Sequence, residues 1–200
     1  MKRLLVALTF ITLVQSASSQ TFLHGAGVGF NYSHPKSGLV DSKVYFTLHY
    51  YPQVTFVENE SFSVSAGIPL TVGLTGTFNA SYSSRGDSYE ENTLFTLVQI
   101  PLMVNFNGGA GSTKENEQRF GYFLGGGFGY HSTGIGNLFD ENGNEMDKKA
   151  YAKGFGPAAN AGVRFAVGSH QKTIEIRASF MQGLKDYKPG MFGLNAAFNF

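Results

Sequence analysis

From Ser61 to Phe78 the chain reads SFSVSAGIPLTVGLTGTF, and alternate residues fall into two chemical classes. Phe62, Val64, Ala66, Ile68, Leu70, Val72, Leu74, Gly76 and Phe78 occupy the even positions. Ser61, Ser63, Ser65, Gly67, Pro69, Thr71, Gly73, Thr75 and Thr77 occupy the odd ones. Successive side chains of a strand point to opposite faces, so this is a strand with one apolar face and one small, polar face. It is far longer than the roughly five or six residues usual in soluble sheets. A solvated face would carry Lys and Glu, whereas this one carries hydroxyls and glycine. Apolar outside, small and polar inside, and aromatic at both ends is the pattern of a transmembrane β-strand.

The composition supports that reading. Charged residues make up 14% of the 200, against about 25% in ordinary soluble domains. The 26 glycines and 19 phenylalanines suit a tight barrel with aromatic rims. A mean hydropathy of −0.10 fits a membrane barrel too, because half of every strand faces inward and the loops are polar. The net charge of +1 gives no case for nucleic acid as a partner. With no cysteine in the chain, disulfides, thiolate metal sites, cysteine nucleophiles and a lipidated N-terminal cysteine are all excluded.

Residues 1–19 read as a signal peptide: Lys2 and Arg3 precede an apolar run from Leu4 to Val14 and the small, polar stretch QSASSQ. The run is too short for the roughly 20 residues of a spanning helix. The chain is thus expected to be exported, with residues 20–200 forming a barrel domain, since only helices and closed barrels cross a membrane.

Taken in order, the alternation gives strands at about 22–33, 43–57, 61–78, 93–106, 119–130, 155–167, 173–181 and 191–200. The expected fold is all-β, an eight-stranded antiparallel up-and-down transmembrane barrel, an even count in the range of bacterial outer-membrane proteins. Long connections at 34–42, 79–92 and 131–154 belong on the outer side, and short turns at 58–60 and 168–171 on the periplasmic side. The segment 107–118 is longer than such a turn should be. Its Gly and charge content reads as a mobile loop.

This order also places the aromatics. Phe22, Phe56, Phe62, Phe106, Phe120, Tyr122, Phe165, Phe198 and Phe200 fall at the periplasmic end. Tyr32, Phe46, Phe78, Phe128, Tyr130, Phe155, Phe180 and Phe192 fall at the outer end, making two girdles. A lipocalin-type soluble barrel would instead place bulky apolar residues inside and charge outside.

The inward set is mostly Gly, Ser, Thr and Asn, with Tyr45, His49, Tyr51, Gln53, Gln99, Asn160, Arg164, Glu175, Arg177 and Asn195 as the larger members. A tight turn at Ser169 and His170 sets Arg164 opposite Glu175, with Arg177 two positions further on the same face. Enclosed charges must be paired, so Arg164, Glu175, Arg177, Asn160, His49 and Gln99 are expected to form a polar cluster plugging the lumen. Structural packing is the plainer reading of that cluster, and a gate or narrow conduction path the functional one. Eight strands enclose room for side chains and little else.

Other signals are weaker. Asp140, Asn142 and Asn144 have the alternating oxygens of a calcium loop, but the glycine sits at 143 and position twelve is Tyr151. No metal or other cofactor is therefore expected. Arg85-Gly86-Asp87 spells an adhesive tripeptide in a polar loop. Ser33, His34 and Asp41, and His131 with Ser132, are the residue types a lipid hydrolase would need, and also ordinary loop content. Gly25, Gly27 and Gly29, or Gly125 to Gly127, lack the following helix of a nucleotide loop. No catalytic residue is assigned.

HYYPQVTFVENESFSVSAGIPLTVGL, VQIPLMVNF, FGYFLGGGFGY and the terminal GLNAAFNF together cover much of the chain. With them the sequence resembles the outer membrane protein beta-barrel domain family abundant in Bacteroidota, which includes PorT-like proteins. The resemblance implies an integral eight-stranded outer-membrane protein with no common enzymatic activity. A strand ending in an aromatic is similar to the signal read by the barrel-insertion machinery. The expected function is structural or surface binding through loops 79–92 and 131–154. The expected partners are outer-membrane lipids and lipopolysaccharide, with the insertion machinery during biogenesis, and the protein is expected to be a monomer. A narrow channel for small or hydrophobic solutes, resembling small OmpW-like barrels, is the alternative, and a lipid-modifying enzyme the third reading.

Overall fold

A computed structural model describes residues 21–34, 42–82, 88–135, 138–139, 145–146, 152–168, 172–185 and 188–200. Residues 1–20, the tripeptide at 85–87, the 140–144 segment, Asp41 and the Ser169–His170 turn lie outside the described residues.

The barrel strands are β1 (Thr21–His34), β2 (Lys43–Glu58), β3 (Phe62–Gly67), β4 (Leu70–Tyr82), β5 (Ser88–Gly109) and β6 (Phe120–Ile135). The short pair β7 (Leu138–Phe139) and β8 (Glu145–Met146) lies apart, and β9 (Ala152–Ala166), β10 (Thr173–Gln182) and β11 (Gly190–Asn199) complete the wall. All pairings are antiparallel, and β1 bonds both β2 and β11, which closes the ring. His24 and Phe200 exchange backbone hydrogen bonds of 3.0 and 2.8 Å, so the described chain ends where it begins, at one end of the barrel.

The ring has eight positions because β3 and β4 are one interrupted strand. Both halves keep a single register against β2, with Gly67 opposite Gln53 and Leu70 opposite Tyr50. They do the same against β5, with Gly67 opposite Met103 and Thr71 opposite Gln99. That shared register sets Pro69 opposite Pro101, and neither has an N–H to donate. The ladder lapses there. Ile68 N–H still reaches the Pro52 carbonyl at 3.1 Å, and the alternation of exposed and buried residues passes through the break unchanged. The expected strand 61–78 is thus right in its facing but broken in its hydrogen bonding.

Two connections differ from the sequence reading. The stretch 79–92 contains no long loop: β4 and β5 stay paired to Tyr82 and Ser88. Beyond Gly76 and Leu94 they pair only with each other among the described residues, forming a two-stranded ribbon past the rim. Similarly β6 runs on to Ile135, so His131 and Ser132 sit in a strand rather than a loop. These segments are polar and lack a clean alternation in the sequence, so periodicity does not mark them as strands.

The outer surface is apolar. Val28, Phe30, Leu48, Val72, Leu102, Leu124, Leu194 and their neighbours are exposed along every side. Such a continuous belt far exceeds the few hundred Å² of apolar patch typical of soluble monomers. Aromatic pairs bound it at both ends. Phe62 stacks with Phe106 and Phe120 meets Phe165 near the termini, with centroids 5.5 and 5.7 Å apart. Phe30 meets Phe46 and Phe180 meets Phe192 at the other end, at 5.8 and 4.8 Å.

Candidate functional site

Everything polar that the strands bury points into the lumen, which is the candidate site. At the end near the termini, residues 110–113 of the expected mobile loop fold inward, while 114–119 stay largely exposed. Ala110, Ser112 and Thr113 are buried. Ser112 Oγ donates to the Ser61 carbonyl and Thr113 Oγ1 to the Glu60 carbonyl, both at 3.5 Å, while Lys114 N–H donates to Glu58 Oε1 at 2.8 Å. Gly109 and Gly111 adopt φ of 75° and 68° to make the inward turn, a conformation costly for a residue with a Cβ. The segment is a plug, and its glycines serve that turn.

Beneath the plug lies the charged cluster. The β9–β10 register sets Arg164 directly opposite Glu175. Arg164 Nε donates to Glu175 Oε2 at 2.8 Å and Arg177 Nε to Glu175 Oε1 at 2.7 Å, with the three side chains 1%, 1% and 2% exposed. Arg164 Nη1 also donates to Asn107 Oδ1 at 3.1 Å and to the Gly111 carbonyl at 3.4 Å, tying the cluster to the plug. Asn199 Nδ2 adds a bond to Glu175 Oε2 at 3.1 Å. The guanidiniums lie over aromatic faces: Arg177 over Tyr51 at 4.0 Å and Phe123 at 4.8 Å, and Arg164 over Phe123 at 4.7 Å. The Tyr51 hydroxyl is held by Asn105 Nδ2.

Further along the axis, His49, Gln99 and Asn160 line a cavity of about 30 Å³ together with Arg177, room for about two waters. His49 Nδ1 pairs with the Thr71 hydroxyl at 3.1 Å, and Asn31 Nδ2 donates to Gln99 Oε1 at 2.7 Å. A second cavity, under the plug, is about 10 Å³. Toward the loop end Tyr45, Leu97, Met181 and Met191 close the lumen with an apolar layer, and Lys43 Nζ sits 3.7 Å above the Phe95 ring at its rim. The two methionines, Leu97, Met103 and Phe123 face inward, a layer the sequence reading does not include. Their inward position follows from the parity of their strands, so the signal was present in the alternation.

Cross-strand pairing explains how so narrow a lumen accepts amide side chains. Asn195 stands opposite Gly29, Asn199 opposite Gly25, and Asn31 opposite Gly193. Asn105 and Asn160 both stand opposite Gly125. A β-carbon at Gly29 would lie 2.3 Å from Asn195 Oδ1, so each asparagine occupies the volume its glycine leaves free. Gly25, Gly29, Gly125 and Gly193 are therefore packing partners of these asparagines.

The hydrolase candidates do not converge. His34 Nδ1 meets Ser42 Oγ at 2.7 Å on the exposed rim, whereas Ser33, one residue earlier, is buried on the inner face. His131 is buried inside, and Ser132, its strand neighbour, points the other way.

No protein-family model matches this chain, and a comparison with curated proteins finds no match either. Solved structures do match. Neisserial surface protein A (NspA) aligns over 91% of this chain and 98% of its own, with 13% identity and a TM-score of 0.58. Ail, the attachment invasion locus protein of Yersinia pestis, solved with the heparin analogue sucrose octasulfate, aligns over 91% and 99%, with 14% identity and a TM-score of 0.51. Identities this low speak to architecture alone, and on architecture they agree with the strand pairing: this chain has the closed, antiparallel fold of small bacterial surface β-barrels.

Proposed function

We propose that the chain is an integral outer-membrane β-barrel with a closed lumen, and that its role is structural or surface binding. One observation carries this reading: an uninterrupted apolar belt surrounds a lumen filled by polar side chains and stopped at both ends. The belt matches a lipid surround, with the acyl chains of outer-membrane lipids and lipopolysaccharide as its partners. A ring with no free edge favours a monomer. The Phe200 end of β11 suits recognition by the insertion machinery. The separation of His34 from Ser33, and of His131 from Ser132, supports a non-enzymatic role. The β4–β5 ribbon is the element best placed to meet a partner outside the membrane. The finer placement, with the Bacteroidota barrel-domain family, rests on the strand motifs quoted above.

The channel reading is the competitor, and planar bilayers decide between them. The folded protein is expected to give no unitary conductance, because the larger of the two cavities described above holds about 30 Å³ and lies between the plug and the apolar layer of Tyr45, Leu97, Met181 and Met191. Regular single-channel steps that change when Arg177 becomes Ala would replace the closed barrel with a conducting one.

A further inference from the structure

The buried charges do not balance. Two guanidiniums share one carboxylate, and Glu175 is the sole buried acid among the described residues. Glu58 sits at the plug end, where its carboxylate accepts from Lys114 N–H and Thr21 Oγ1, and Lys43 adds positive charge at the opposite rim. The faces of Tyr51 and Phe123 ease the burial of Arg177, but a cation–π contact leaves the charge in place. An uncompensated charge taken out of water costs several kcal/mol even after relaxation.

The surplus lies against the 30 Å³ cavity, and several donors on its wall have no acceptor. Arg177 Nη1 has no hydrogen-bond partner, nor does either atom of the buried Asn160 amide, nor His49 Nε2. In the tautomer that lets the Thr71 hydroxyl donate to His49 Nδ1, the ring's proton sits on Nε2 and gives the cavity a further donor. Gln99 Nε2 gives one of its two hydrogens to the Met191 sulfur at 3.2 Å, a weak acceptor. A neutral water cannot compensate the charge. We propose that this cavity binds one small inorganic monoanion, chloride under envelope conditions, held by Arg177, Asn160, His49 and Gln99.

The site is small, so it selects by size as well as charge. Bromide fits in place of chloride, and gluconate does not. The test uses the full barrel folded in lipid vesicles and unfolded in urea, with chloride exchanged for gluconate at constant ionic strength. Stability is expected to rise with chloride, approaching about 1.4 kcal/mol for each tenfold increase above the dissociation constant. Bromide should reproduce that slope. Asn160→Asp brings a carboxylate to the cavity and should fold without chloride dependence. Crystals grown in bromide should show an anomalous peak between Arg177 and Asn160. Equal stability in chloride and gluconate, or a bromide signal confined to the protein surface, would overturn the proposal. The bromide crystals test the unaltered chain, so the outcome does not hang on whether the variant folds.

Discussion

Glu175→Gln is expected to destabilise the barrel by about 3–5 kcal/mol, the largest effect of any single polar substitution in the lumen. Glutamine keeps the size of the side chain but leaves Arg164 and Arg177 as neighbouring buried cations. It also weakens the acceptor for Asn199 and slackens the link that runs from Glu175 through Arg164 to the plug. A triple replacement, Arg164→Met with Glu175→Leu and Arg177→Met, removes all three charges and should cost much less than Glu175→Gln alone, because breaking a buried pair is worse than deleting it. The chain has no tryptophan, so the folded fraction is best read by gel mobility of unboiled samples across a urea series. A Glu175→Gln midpoint equal to that of the parent would mean that the cluster does not carry the lumen.

Leu48→Arg is the second large effect, and it separates a membrane barrel from a soluble one. Leu48 is 59% exposed on the outer face. It pairs with Val28 and Val72 inside the apolar belt, on the outer half, two residues from Phe46. In a bilayer an arginine there costs about 1–4 kcal/mol, depending on its depth. In water the same change would remove an exposed leucine and be neutral within about 0.5 kcal/mol. Urea titration in lipid vesicles measures it, with Glu60→Arg in the turn at the barrel end as a control expected to do little.

What the sequence makes legible follows from periodicity. Strand facing requires only the order of residues, so Ser61–Phe78 shows its lumen side and its belt side by inspection. Register across a short turn is equally local, which is why Arg164 falls opposite Glu175 from the turn alone. Three features need information that periodicity does not hold. The plug at 110–113 has no repeat, and its inward turn depends on φ at Gly109 and Gly111. The lapse at Pro69 needs the register with Pro101 on another strand. The layer of Tyr45, Leu97, Met181 and Met191 takes side chains from β2, β5, β10 and β11. Its members are far apart in sequence and meet only once the ring closes. The asparagine–glycine pairs are hidden for the same reason.

The most direct measurement is to fractionate cells and run the envelope extract on a gel with and without boiling. A band in the outer-membrane fraction that migrates faster unboiled than boiled is the predicted result, because a barrel closed through every strand resists detergent until heated. A soluble periplasmic protein with no mobility shift would contradict the account. The apolar belt would then need a covering other than lipid, and the alternation would have been assigned to the wrong sides.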